Sequence, residues 1–202
     1  MYPAALKTRT ALCFLLVSLA IPAQQFDSGT LNSSGQVVVD GRSTPYLIRR
    51  LPVNAFPQLP TAVQGALNLR RCLIPQTYEA HRPENVIHAS LERKGSSDWA
   101  ILCSVNGTVS LLVFFSSSSA DPMVLATAPE TGRLQANGST GVLGFNWGID
   151  PASPDEVHQA QLGMRHIPPH LDHDALADSV VEQRTIYHLY TRNTWIVVDT
   201  QD

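Results

Sequence analysis

The chain has no long apolar run after Ala23, no basic cluster and only three cysteines. Each absence narrows the reading. Without a further apolar run of roughly 20 residues, nothing downstream of Ala23 is expected to cross a bilayer as a helix. With 14 Lys and Arg against 17 Asp and Glu, and no basic run, the chain lacks the electrostatic footprint of a nucleic-acid binder. The same balance argues against an anionic membrane surface. HExxH is missing, and no local Cys/His signature of a thiol enzyme is present. The glycines between 141 and 149 are not spaced as a phosphate loop, and no lysine follows them. No local motif announces catalysis, and no cofactor is expected.

What is there begins with an export signal. Lys7 and Arg9 precede the apolar stretch Ala11 to Ala20, about ten residues and too short to span a bilayer. Ile21-Pro22-Ala23 ends on a small residue, so residues 1–23 read as a secretory signal cleaved near Ala23. An uncleaved N-terminal anchor is the alternative. Cys13 lies near the start of the apolar run rather than after it, which argues against lipid attachment. Cleavage leaves 12 basic against 17 acidic residues, net −5, and two cysteines, Cys72 and Cys103. A secreted or periplasmic chain meets an oxidising compartment, which suits a disulfide between them. That bridge would close a loop of about 30 residues, worth roughly 3 kcal/mol. Two buried free thiols are the alternative. Residues 24–34 read as a loose polar leader and 35–202 as one globular domain.

The domain is organised around Asn85 to Ser116. Val86 to Leu91 alternates loosely, Trp99 to Cys103 is mostly apolar, and Val109 to Phe115 is almost wholly apolar and rich in β-branched and aromatic residues. All three have strand length. Asn106-Gly107 between the last two is the strongest short-range hairpin signal, because both residues tolerate the positive φ of a type I′ turn. A strand as apolar as the third predicts burial on both faces.

The run Ala89-Ser90-Leu91-Glu92-Arg93-Lys94-Gly95-Ser96-Ser97-Asp98-Trp99-Ala100-Ile101 resembles a single FG-GAP motif, the strand–loop–strand unit of integrin-like propellers. The family's loop chelates Ca²⁺ through acidic residues at alternate positions. Here Ser90, Glu92 and Lys94 stand at those places, with Asp98 further on. Calcium wants oxygen ligands of net negative charge, so Lys94 implies a degenerate loop without calcium. The motif occurs once, whereas a propeller needs several blades. More widely, Cys72-Leu73-Ile74-Pro75-Gln76, Asn85-Val86-Ile87, Asp98 to Ser104 and Asp172-His173-Asp174, with the terminal Trp195 strand, resemble a group of uncharacterised secreted bacterial proteins. That resemblance implies no activity.

Around this centre, Gln36 to Val39 and Tyr46 to Arg50 read as short strands about Asp40-Gly41. Val63, Ala66, Leu67 and Arg70 share one face of a helix that Thr61 would cap, with Cys72 just beyond it. Met123 to Ala128 reads as a strand. Gly141 to Ile149 reads as a strand or bent hairpin with Phe145 and Trp147 on one side. Asp150 to Asp155 reads as a loop, and Val157 to Met164 is ambiguous. Arg184 to Tyr190, the turn Arg192-Asn193 and Trp195 to Val198 read as a hairpin.

The most chemical stretch runs from His166 to Asp174 and holds His166, His170, Asp172, His173 and Asp174. Imidazole with carboxylate suits borderline metals, but the spacing matches no zinc signature, and Pro168-Pro169 splays His166 from His170. Asp172 reads better as the N-cap of a helix over 174–181.

The expectation is an α+β domain with a mainly antiparallel, meander-like sheet and one or two packed helices. A β-sandwich or propeller-like fragment is the alternative. In function it reads as an exported, non-catalytic domain that binds a protein or a cell-envelope component. The competing reading is a metal-dependent or hydrolytic enzyme using the segment from His166 to Asp174.

Overall fold

The computed structural model describes residues 31–162 and 170–199. The signal segment, most of the leader and His166 lie outside the described residues. Three dipeptides in the left-handed region set the tight hairpins: Asp40-Gly41 (φ 50° and 75°), Asn106-Gly107 (51° and 79°) and Arg192-Asn193 (48° and 59°). These positive pairs match the right-handed twist of the strands they join.

In chain order, β1 (Ser33–Val39) and β2 (Arg42–Pro52) form a hairpin, followed by α1 (Thr61–Leu69) and β3 (Leu73–Gln76). Next come β4 (Val86–Ala89), β5 (Asp98–Val105), β6 (Thr108–Phe114) and β7 (Met123–Pro129), each pairing antiparallel with the next. Then β8 (Leu134–Ala136), β9 (Leu143–Phe145) and β10 (Trp147–Ala152) lead to α2 (Pro154–Ala160). The last strands are β11 (Ala175–Val180), β12 (Arg184–Thr191) and β13 (Thr194–Asp199).

The strands form two sheets. The larger has the order β7-β6-β5-β3-β2-β9-β8, with β1 beside β2 and β4 beside β5. Its pairs are antiparallel except β2 with β9, where Tyr46 faces Leu143 and Leu47 faces Gly144. The smaller is an antiparallel meander, β10-β11-β12-β13. Among the described residues the chain is mostly β, with two α-helices and no closed barrel.

Alternation sorts the core. Ala100 and Leu102 of β5 and Val109, Leu111 and Val113 of β6 meet Trp147, Ile149 and Leu176 of the smaller sheet. Trp99, Ile101, Cys103, Leu112 and Phe114 point the other way, onto Val63, Ala66 and Leu67 of α1. The apolar runs of β5 and β6 are therefore covered on both sides, as expected for β6 from its composition. Val157 of α2 packs with Ala175, Ala177, Leu189 and Val198 on the far face of the smaller sheet.

Several expectations are corrected. Residues 175–180 form strand β11 between β10 and β12, so Asp172 caps no helix. The local preference of Ala175 to Val180 is mixed, and pairing with β10 and β12 settles it as a strand. Pro60, not Thr61, is the N-cap of α1, with no side-chain cap, and Arg70 is exposed at its C-terminus. The expected loop at 150–155 is partly strand, since β10 runs through Pro151 to Ala152. Ser153 and Glu156 then form a reciprocal capping box that starts α2. Strand β1 begins at Ser33, inside the expected leader.

Cys72 and Cys103 pair, with Cα atoms 5.3 Å apart, and so tie the turn after α1 to β5 across 31 residues. Non-reducing mass analysis of the purified protein should find neither thiol alkylatable, and reduction should cost about 3 kcal/mol in urea unfolding. Two alkylatable thiols in the native protein would refute the bridge. A second expectation concerns Asn85, which is buried at φ 67°. Its Nδ2 donates to Pro75 O (2.8 Å) and Trp147 O (3.2 Å), and its Oδ1 accepts from Ile149 N (3.0 Å). Asn85→Ala should cost about 3–4 kcal/mol by leaving buried backbone groups unpaired. Asn85→Gly should cost nearly as much. If glycine were neutral, the backbone angle rather than the side chain would be the requirement.

Candidate functional site

The histidine- and aspartate-rich segment forms ties between strands. His170 and Asp172 are exposed. Asp172 Oδ1 lies 2.9 Å from His173 Nδ1, and that bond is the main cause holding the Asp172 carboxyl below its usual range. His173 Nε2 lies 2.9 Å from Tyr190 O. Asp174 bonds to Ser90 twice: its Oδ2 accepts from Ser90 N at 2.9 Å, and its backbone N donates to Ser90 O at 3.0 Å. Asp172 and His173 thus pair with each other while Asp174 turns to Ser90, and among the described residues no group of three or more His, Cys, Asp or Glu is placed to hold a metal.

The loop between β4 and β5 is organised by Asp98, which is fully buried. Its Oδ2 accepts from Leu91 N (2.9 Å), Glu92 N (2.8 Å) and the Ser96 hydroxyl, and its Oδ1 accepts from Ser116 N (2.9 Å). Ser90 Oγ donates to Ser96 O at 3.0 Å, Glu92 lies 3.5 Å from Arg93, and Lys94 is exposed. The carboxyl group is thus held by four protein donors that fix the loop.

A buried polar group escaped the sequence reading. Asp178 on β11 accepts from Trp147 Nε1 at 2.7 Å through Oδ1, and its Oδ2 lies 3.1 Å from His188 Nε2. Arg133 lies over the Trp147 ring at 4.1 Å. The one sequence signal was Trp147, because a buried indole N–H requires an acceptor. Asp178 and His188 are each at most 6% exposed, so this dyad is sealed from solvent.

Two clefts are lined by described residues. The first, of about 360 Å³, lies on the larger sheet. Leu47 and Arg49 of β2 and Gly144 of β9 contribute to its lining, as do the segment after β3, including Tyr78, and the turn from Asn137 to Val142. The wall at Tyr78 is built by Gln76 and Glu84. Gln76 Nε2 donates to Glu84 O (3.0 Å), Glu84 N donates to Gln76 Oε1 (2.9 Å), and Thr77 N donates to Glu84 Oε1 (2.8 Å). Gly144 admits Tyr78 closely: a Cβ there would stand 2.3 Å from Tyr78 Cβ. Arg49 Nη2 donates to Ala80 O at 2.6 Å. The Tyr78 hydroxyl donates to Glu182 at 3.1 Å. Desolvation first, then Glu182 and Glu79, push that phenol up. Among the described residues that line this cleft there is no histidine, cysteine or carboxylate.

The second cleft, of about 580 Å³, lies between α2 and the smaller sheet and carries Asp150, Asp155 and Glu156. Desolvation, then the charge of Glu84, push the Asp150 carboxyl up against the opposing pull of Arg82. Glu156 is already engaged in the capping box, and its bonds to Ser153 hold its carboxyl low. No protein-family model, curated protein or solved structure matches the chain.

The Asp98 geometry yields an expectation. Asp98→Asn should cost about 3 kcal/mol, because an amide NH₂ would face backbone donors that need an acceptor. The wild-type melting temperature should not move in millimolar calcium. A calcium-dependent rise that Asp98→Asn abolishes would show a working metal loop instead.

Proposed function

We propose that the chain is an exported, non-catalytic α+β binding domain whose ligand occupies the Leu47–Arg49 cleft. The observation that carries this reading is the cleft's composition: apolar side chains, amides, hydroxyls and one guanidinium, with no nucleophile–base pair. Several groups able to do acid–base chemistry elsewhere are engaged in structure, as at Asp98, Asp174 and the Asp178–His188 dyad. Export is supported by Lys7 and Arg9 ahead of an apolar stretch and by the paired cysteines. No helix among the described residues is long and apolar enough to cross a membrane. In this reading the β4–loop–β5 unit is a degenerate FG-GAP-like element serving as scaffold. The partner is a protein or a cell-envelope component, and nucleic acid is not one.

Affinity capture from a cell-envelope extract tests the proposal, comparing wild type with Leu47→Trp and Val142→Trp, which fill the cleft from its open side. Capture should fall at least about tenfold in both variants while their melting temperatures stay within a few degrees of wild type. Equal capture by all three proteins would place binding elsewhere. Hydrolysis of a generic ester that requires added zinc and is lost in His170→Gln with His173→Gln would favour the enzyme instead.

A further inference from the structure

We infer that the cleft takes a monoanionic ligand, a single carboxylate on a short apolar body, held by Arg49. This rests on the reading of the cleft as a ligand site and names the chemistry of its occupant. Leu47 and Arg49 lie two residues apart on β2 and share the face opposite Ile48, which is fully buried in the core. The neighbouring Arg50 is fully engaged: its Nε donates to Glu130 Oε1 at 2.8 Å, and its Nη2 pairs with Oε2. Arg49 differs. Its Nη2 is anchored on Ala80 O, and among the described residues it has no carboxylate partner. A guanidinium carries five N–H donors, so anchoring one nitrogen on a carbonyl leaves donors for an incoming carboxylate. Half-buried and without a counter-ion, it gains from one.

The surroundings limit the anion to one charge. Glu84 stands behind Thr77, bonded to its backbone N at 2.8 Å, and Glu182 accepts the Tyr78 hydroxyl at 3.1 Å. Two carboxylates bonded to the lining residues Thr77 and Tyr78 disfavour a doubly charged group such as phosphate more than a single carboxylate directed at Arg49. Leu47, Val142 and Leu143 supply apolar contact for the rest of the ligand. A volume of about 360 Å³ suits a short body. An apolar peptide C-terminus and a free short-chain acid share this chemistry.

Four probes test it by amide-resolved NMR titration of the full mature chain: N-acetyl-leucine, N-acetyl-leucinamide, 4-methylpentanoate and inorganic phosphate. The expected result is saturable shifts at Val142 and Gly144 with one or both carboxylate probes. The amide should bind about tenfold weaker or more, because it lacks the charge-assisted pair. Binding of N-acetyl-leucine alone would assign a peptide terminus, and binding of 4-methylpentanoate as well would admit free acids; either supports the proposal. Arg49→Gln should remove the preference for carboxylate over amide, and Arg49→Lys should retain part of it. Equal binding of acid and amide, or tighter binding of phosphate, would overturn the ligand class while leaving the cleft as a binding site. If no probe shifts the cleft, the ligand class falls; the cleft itself falls only if Leu47→Trp and Val142→Trp also leave envelope capture intact.

Discussion

One buried amide joins the two sheets. Asn85 sits between β3 and β10, giving one N–H to each through Pro75 O and Trp147 O and taking one from Ile149 N. Its own carbonyl accepts from Leu102 N of β5 at 3.1 Å. A primary amide has two donors and an acceptor, and all are used here on protein groups. No apolar residue could replace it, because the strand groups it serves would be left unpaired in the interior. The chain changes sheets close by, between Phe145 in β9 and Trp147 in β10. Asn146 marks the step, its N donating to Arg133 O and its carbonyl accepting from Val181 N, each at 2.9 Å. The position of Gly144, and with it the floor of the first cleft, follows from where that crossing is held.

Charge in this chain is scarce, 15% of residues, and among the described residues three acidic side chains, Asp98, Glu130 and Asp178, are buried. Glu130 is 3% exposed and receives both Arg50 and the Ser104 hydroxyl, the latter at 2.6 Å. Asp98 gathers a loop, Asp178 joins β10 to β12, and Asp174 ties the start of β11 to the end of β4. Removing one partner of such a group costs several kcal/mol, because the other is left charged or polar and buried. Arg49, half-buried on the larger sheet, is anchored on a carbonyl instead.

What was legible in the sequence was local. Asn106-Gly107 and Asp40-Gly41 encode their turns in two adjacent residues, and the apolar composition of Val109 to Phe114 encodes two-sided burial. Cysteine count and export context pointed to Cys72 and Cys103. The misreadings were made where distant residues decide. Ala175 to Val180 has no strong preference of its own, and β10 and β12 settle it as a strand. Pro75 disguised β3, and a helix of seven residues at α2 left Ser153-x-x-Glu156 as its main signal. The cleft was not legible at all. Its residues come from β2, the segment after β3, the turn before β9 and β9 itself, and no spacing links Arg49, Tyr78 and Gly144.

The cleft is what remains when a short helix covers part of a wide sheet. On β2, Leu47, Arg49 and Leu51 share one face, and Leu51 packs into the cluster beneath α1. That helix has nine residues and a length of about 13 Å, enough for about three strands at their ordinary spacing. It lies over β3, β5 and β6 through Ile74, Ile101, Cys103, Leu112 and Phe114. Leu47, Arg49 and Gly144 lie beyond its reach, and only the walls at Tyr78 and Val142 rise beside them. On the same face that α1 makes dry, the sheet therefore offers a partly apolar floor with one charge. A ligand held there would complete the cover that the helix begins.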